Sequence, residues 1–398
     1  MKSSIPVKSS QVIPGHRFLL AFMLIVVSVA MLIGAFNHMV WRMMLLPQNQ
    51  TIVQLLSGWS REFKPILFDR LDPQVAVFGA SWARDAFDPQ TAGGLTGQRW
   101  FNHAVSAATP YEARRFVESS LDAPHLDAVI LNLDTFLRPG TAVRRKQGFD
   151  ETLLDQDSDG HPTRWLRLRR EFMIALSGAA LGNSIDVLRA TRARDAGADP
   201  AEYLESYQRF DYDGHEADIE KLRRLLPRIV PALPSDAEPP LSELPAPPGA
   251  EDFERTLAAL CRLDIEVYGY FTPSLILVEK RNRGLAAKLY GLGLMRKHVS
   301  GCRARLHLFD FNYVNGVTLD GLERGGRFSE YFRPDGHPRP SIGLLMIASM
   351  FGKPFPAGTP PRISREFGVD LLPVADAEMR LRTQSRQLEQ LYAALGPA

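Results

Sequence analysis

Cysteine is nearly absent from this chain. Cys261 and Cys302 are the only two among 398 residues, and no Cys/His spacing suggests a zinc site. Charge of one sign is also missing. The formal net charge is +2 with no long basic block, so there is no footprint for nucleic acid. No glycine-rich phosphate loop, dinucleotide fingerprint or metal cluster occurs, which argues against cofactor-dependent redox or kinase chemistry. No cofactor and no metal are therefore expected. Asp155–Gly160 (DQDSDG) begins like a calcium loop, but Leu166 stands where the twelfth position needs a bidentate Glu. A polar turn is the better reading.

Long apolar runs are also scarce, with one exception. Phe18 to Phe36 carries no charge, and the apolar character continues to Val40. At about 1.5 Å per residue such a helix crosses the hydrocarbon core. We place a membrane anchor at residues 18–41, after a cytoplasmic tail, residues 1–17. Lys2, Lys8 and Arg17 precede the run, and only Arg42 follows closely. That bias puts the N-terminus in the cytoplasm and the bulk of the chain outside. Trp41 is expected at the outer interface. A cleaved signal peptide is the competing reading. Against it, the run exceeds the usual h-region of about 7–15 residues, and no convincing Ala-x-Ala follows.

What remains has the content of an ordinary globular domain, 45% hydrophobic and 23% charged. Residues 42–70 read as a juxtamembrane segment with a short helix, and residues 71–398 as one domain. Five apolar runs, Val75–Gly79, Trp100–Val105, Ala128–Leu133, Ile265–Phe271 and Leu306–Phe311, read as strands. Helical patterns lie between them, at Tyr111–Leu121, Phe253–Leu263 and Arg281–His298. This alternation predicts an α/β fold with a central parallel sheet between helices. Residues 140–250 form an insertion expected to cap one end of the sheet. It includes helical patterns at Trp165–Leu176 and Ile219–Leu226 and a proline-rich linker at residues 231–248. Asp376–Leu395 reads as a final amphipathic helix. Each cysteine precedes a predicted strand at a similar offset. They pair as a disulfide if those strands are neighbours, and otherwise are two separate buried thiols; spacing leaves both open.

The chemistry concentrates where the first strand ends. Gly79-Ala80-Ser81 places a serine between a buried strand and a helix, where a backbone N–H can help hold an oxyanion. The plainer reading makes Ser81 a helix N-cap. A nucleophile needs a base, and His337 in Arg333-Pro334-Asp335-Gly336-His337 is the candidate. Asp335, two residues earlier, can orient the imidazole.

These blocks resemble the SGNH/GDSL hydrolase superfamily. Gly79-Ala80-Ser81 with Phe87 resembles its first block, and Phe101–Thr109 (FNHAVSAAT) its second. Ile130–Asp134 (ILNLD) takes the place of the third, and Asp335-Gly336-His337 that of the C-terminal block. Asp310-Phe311-Asn312 through Thr318 resembles a membrane-anchored bacterial branch associated with cell-envelope and exopolysaccharide synthesis, similar to alginate-acetylation proteins; this resemblance implies an anchor in a bacterial inner membrane and a periplasmic main domain. The resemblance implies a three-layer fold with strand order 2-1-3-4-5. It implies Ser81 as nucleophile, His337 as base and Asp335 as its orienting partner. The N–H groups of Ser81 and Ala107 would line the oxyanion hole, with a third-block side chain, Asn132 or Asp134. Three positions depart from the family pattern. Ala107 replaces a usual glycine, Asp134 a usual asparagine, and Asp-x-His the usual Asp-x-x-His. Asn132 and Asp134 are expected to share one face of a strand. An ionised Asp134 would repel an oxyanion, so it is protonated, or partnered by a group such as Arg84 or Arg138, or it impairs the hole.

Two function classes follow. The first is a serine esterase or O-acyltransferase acting on a cell-surface or exported polysaccharide. For transfer, a multi-span membrane partner would supply the acyl group. The second is a degenerate domain of the same type that binds glycan or scaffolds an envelope assembly. In that case Trp82, Tyr111, Phe136 and Tyr331 would offer stacking surfaces at the mouth, unless they are core or rim residues.

Overall fold

A computed structural model describes residues 15–46, 60–137, 178–197, 209–228, 244–278, 284–320 and 327–395, with residues 49, 52, 146, 149, 151–154, 165, 172, 175, 176 and 322. The acidic run at residues 155–160 lies outside the described residues, as do most of the proline-rich linker and most of Trp165–Leu176.

The five apolar runs become β1 (Val75–Phe78), β2 (Trp100–Asn102), β3 (Ala128–Asn132), β4 (Glu266–Phe271) and β5 (Arg305–Asp310). They form one sheet of order 2-1-3-4-5, and every pair is parallel. Both faces of the sheet are covered, so alternate side chains of each strand enter opposite cores. Ala76, Phe78, Val129 and Leu131 point into one cluster, and Val75, Val77, Ala128 and Ile130 into the other.

The helices are α1 (Gly15–Met44), α2 (Ser60–Leu71), α3 (Ser81–Ala86), α4 (Pro89–Thr96), α5 (Pro110–Ser120) and α6 (Leu133–Leu137). After the insertion's α7 (Gly178–Asp195) and α8 (Glu216–Leu225) come α9 (Ala250–Leu260), α10 (Leu285–Val299), α11 (Pro340–Met350), α12 (Pro361–Glu366) and α13 (Ala377–Leu395). Helices α2, α5, α9 and α10 cover the first face, and α3, α4 and α11 the second. The last helix joins the two layers. Its Ala377 and Leu381 belong to the first cluster, and its Leu388 and Leu391 to the second.

Helix α1 is long and apolar enough to cross a membrane. It runs past the expected end at residue 41, and its last turns join the domain. Asn37, Val40, Trp41 and Met44 recur at helical spacing and are buried. Trp41 is therefore not an exposed interfacial anchor: its ring lies 5.8 Å from that of Phe63, with the Arg70 guanidinium 4.6 Å above it. Helix α7 of the insertion packs along the same turns, where Ser184 Oγ donates to Asn37 Oδ1 at 3.0 Å. The insertion was expected over one end of the sheet. Among its described residues, α7 lies beside α1 and residues 209–212 beside the loop that carries His337. There the Phe210 N–H donates to Phe332 O (3.1 Å) and the Ser329 N–H to Phe210 O (2.8 Å).

Cys261 and Cys302 form a disulfide. Each lies just before one of the neighbouring strands β4 and β5, so the strand pairing brings the sulfurs together. Closing a loop over a sequence separation of 41 removes unfolded-chain entropy, an effect of about 2–4 kcal/mol.

Candidate active site

The nucleophile position is built by close packing at the end of β1. A Cβ on Gly79 would stand 2.6 Å from Asn132 Cβ and 2.9 Å from Ala83 Cβ, so only glycine lets β1 turn there. Ala80 is the N-cap of α3 and Ser81 its first helical residue. The Ser81 hydroxyl caps nothing. Its Oγ lies 2.9 Å from His337 Nε2, across 256 residues of sequence. The Ala80 N–H donates to Thr135 Oγ1 (2.8 Å), which donates on to Asn132 Oδ1 (2.8 Å). At its other end, α3 is held by buried Asn102, whose amide donates to the carbonyls of Ala83, Arg84 and Phe87.

The base is presented by a tight turn. Gly336 N–H donates to Arg333 O (2.9 Å) with Gly336 at φ 78°, and Arg333 N–H donates to His337 O (2.9 Å). Pro-Asp-Gly is a sequence suited to such a turn. It carries Asp335 and His337 to the same side. Asp335 Oδ2 lies 3.1 Å from His337 Nδ1 but out of line for a hydrogen bond. Asp335 Oδ1 accepts the His337 backbone N–H at 3.2 Å. The orienting contact is thus electrostatic more than directional in this state.

Sequence reasoning missed Arg333. It is buried, and it bridges Asp335 Oδ2 (2.9 Å) and buried Asp85 Oδ2 (2.6 Å). Asp85 also accepts from Arg84 Nε at 2.6 Å, and Arg84 donates to Ser106 Oγ. An alternating row of charges therefore runs beneath the nucleophile and base. The only hint in the sequence was its place in the same short turn, two residues before Asp335 and four before His337.

Burial pushes the His337 imidazole below its ordinary value. Asp335 and Asp85 oppose this shift, while Arg333 and Arg84 add to it. At neutral pH the ring is therefore neutral, as a base facing a serine hydroxyl must be. We expect serine-dependent turnover to rise with pH and to level off, with an acid-limb midpoint below about 6.5, the value of free imidazole. A pH–rate profile checks this. A midpoint above neutrality would contradict the assignment.

The second loop, residues 103–108, runs along the end of β1: the His103 N–H donates to Val77 O (2.8 Å) and the Val105 N–H to Gly79 O (3.1 Å). Ala107 sits at φ 49°, a left-handed conformation that favours glycine. Ala107 thus holds, as alanine, a backbone shape that glycine adopts more readily. Among the described residues, the N–H groups of Ser81 and Ala107 donate to no protein acceptor. Beneath the loop, His103 is buried among Phe68, Phe78, Phe101 and Phe116. Burial, and then Lys64, hold its imidazole well below the ordinary value.

The third block is placed differently. Strand β3 ends at Asn132, so Asp134 lies on α6 and not beside Asn132 on a strand. Among the described residues its carboxylate turns not to Arg84 but to the Thr272 N–H, at 2.8 Å; Arg138 lies outside them. Asn132 spends its amide protons on Thr272 Oγ1 (2.7 Å) and Asp134 Oδ2 (3.2 Å). The structure brings Ser81, His337 and Asp335 together. Asn132 and Asp134 are engaged with the end of β4 instead.

Of the four aromatics, Tyr111, Phe136 and Tyr331 are buried. Trp82 is half-buried, its ring 5.5 Å from that of His337. The Asp310–Asn312 motif is structural. Asp310 pairs with buried Lys288 at 2.7 Å, and Asn312 Oδ1 accepts from Ser274 at 2.9 Å. No protein-family model matches this chain, and no curated protein matches it.

Proposed function

We propose that this chain is a membrane-anchored serine esterase or O-acyltransferase of the SGNH/GDSL type. Its substrate would be a cell-surface or exported polysaccharide outside the cytoplasmic membrane. The observation that carries this reading is Ser81 Oγ at 2.9 Å from His337 Nε2, at the carboxyl edge of a parallel sheet. Ser81 Oγ attacks the ester carbonyl carbon and gives its proton to His337 Nε2. The tetrahedral oxyanion is met by the N–H groups of Ser81 and Ala107. Collapse breaks the ester C–O bond, and His337 returns the proton to the departing alkoxide. A water or sugar hydroxyl, deprotonated by His337, then attacks the acyl-serine and releases Ser81.

Compartment and topology support the same reading. The disulfide suits an oxidising space. Basic residues before α1 suit an N-terminus in the cytoplasm. A transferase would also need an acyl donor delivered across the membrane, by a multi-span partner. The test uses the full chain in detergent with an O-acetylated polysaccharide, and separately with p-nitrophenyl acetate plus a deacetylated acceptor. Acetate release marks an esterase, and acetyl gained by the acceptor marks a transferase. Neither above the rate of buffer alone would reject both.

The commitment of both Asn132 amide protons elsewhere favours a second reading, a binding domain without turnover. That reading predicts polysaccharide affinity that is unchanged in Ser81→Ala.

A further inference from the structure

The juxtamembrane helix α2 reaches directly into the loop that carries Ala107. Arg61 donates through its terminal guanidinium nitrogen to Ser106 O at 2.7 Å, and the same nitrogen pairs with buried Glu112 at 3.1 Å. One turn later, Lys64 Nζ donates to Ala104 O at 2.5 Å from a fully buried position. Glu112 belongs to the capping box that starts α5 immediately after the loop, with Thr109 as the N-cap. Two basic side chains of one helix thus hold two carbonyls of one short loop.

The Ser106 contact has a particular consequence. Ser106 C=O and Ala107 N–H belong to one planar trans peptide group, so they point in opposite directions. A guanidinium fixed on the carbonyl fixes the direction of the N–H. It also polarises the peptide, which makes that N–H a stronger donor. The left-handed Ala107 costs about 1–2 kcal/mol locally and persists only where its surroundings enforce it. Ser106 is the pivot of that enforcement, held at its carbonyl by Arg61 and at its hydroxyl by Arg84. Helix α2 is in turn packed against the end of the membrane helix, through Phe63 and Arg70 on Trp41.

We infer that Arg61 is the positioning residue for the Ala107 oxyanion donor, with Lys64 holding the start of the same loop, so that the site is complete only while α2 is docked. This rests on the esterase or acyltransferase reading above, and makes the membrane-linked helix a regulator of that site.

The test uses the full chain in detergent, with wild type, Arg61→Gln, Lys64→Met and the double variant Arg61→Gln/Glu112→Gln. The double variant removes the clamp without leaving Glu112 as an unpaired buried charge. Two readouts are taken: turnover of p-nitrophenyl acetate, and backbone hydrogen exchange across residues 103–109. The expected result is a fall in kcat of about 10–100-fold, short of the full loss of one oxyanion donor, with KM within about twofold. Exchange should quicken across 103–109 and stay unchanged across β3 and β4. A change confined to KM, unchanged kcat, or unchanged exchange in the folded double variant would overturn the inference. If wild type and Ser81→Ala turn over alike, the enzymatic reading fails by itself. The exchange comparison then still decides whether α2 sets the loop.

Discussion

Ser81→Ala is expected to reduce turnover of an activated acetyl ester by about 10³-fold or more, with the fold intact. The hydroxyl is half-buried and makes a single side-chain hydrogen bond, to His337 Nε2 at 2.9 Å. Its removal should therefore change stability by no more than about 0.5–1.5 kcal/mol. Helix α3 loses no cap, because Ala80 is the N-cap and Ser81 makes no capping bond. His337→Ala should fall to a similar residual rate, and the double variant little further, since nucleophile and base act as one unit. Steady-state turnover with denaturant unfolding of each variant checks both halves. Equal rates in wild type and folded Ser81→Ala would contradict the nucleophile assignment.

Gly343→Ala should damage stability and turnover together, although it lies outside the proton-transfer path. An alanine Cβ there would stand 1.8 Å from Ala86 O and 2.7 Å from the carbonyl carbon. These are backbone atoms, so relief requires moving one helix. Ala86 ends α3, whose first residue is Ser81, and Gly343 lies in α11, which begins three residues after His337. The gap between the two helices is therefore also the gap between nucleophile and base. Overpacking of this kind costs about 1–3 kcal/mol or more. A displacement of about 1 Å at a reacting pair lowers the rate by about 10²-fold. Gly94→Ala is the matched control: it lies within α4, and an added Cβ there meets nothing within 4 Å. It should leave turnover unchanged and stabilise by up to about 1 kcal/mol. Identical behaviour of the two variants would mean that α3 and α11 do not set the site.

Much of the sheet was legible in the sequence because strands buried on both faces read as unbroken apolar runs. The order 2-1-3-4-5 came from the family resemblance, since apolar runs do not say which strands pair. The same logic misread the end of β3. Leu133 continues the apolar run, but the chain turns into α6 at that residue, which removes Asp134 from the strand face. The disulfide was left open by spacing and is decided by β4 pairing with β5. Ser81 and His337 were singled out as residue types in suggestive local contexts. Their approach over 256 positions is a property of the fold. Arg61 and Arg333 carried no comparable signal. Each acts through a carbonyl or carboxylate that only the three-dimensional structure brings near. Within the insertion, α7 was not among the helical patterns read from the sequence: its buried positions mix Ala180, Val187 and Ala190 with Ser184 and Thr191, so no apolar stripe marked it.

The most direct test of the central claim is acylation of the full chain in detergent. The chain is mixed with p-nitrophenyl acetate, quenched in acid within the first turnovers, and measured by intact mass and peptide mapping. The account predicts one acetyl group on the peptide that contains Ser81. It should be absent in Ser81→Ala and slow to form in His337→Ala. An adduct located elsewhere, or none beside turnover that Ser81→Ala retains, would contradict it.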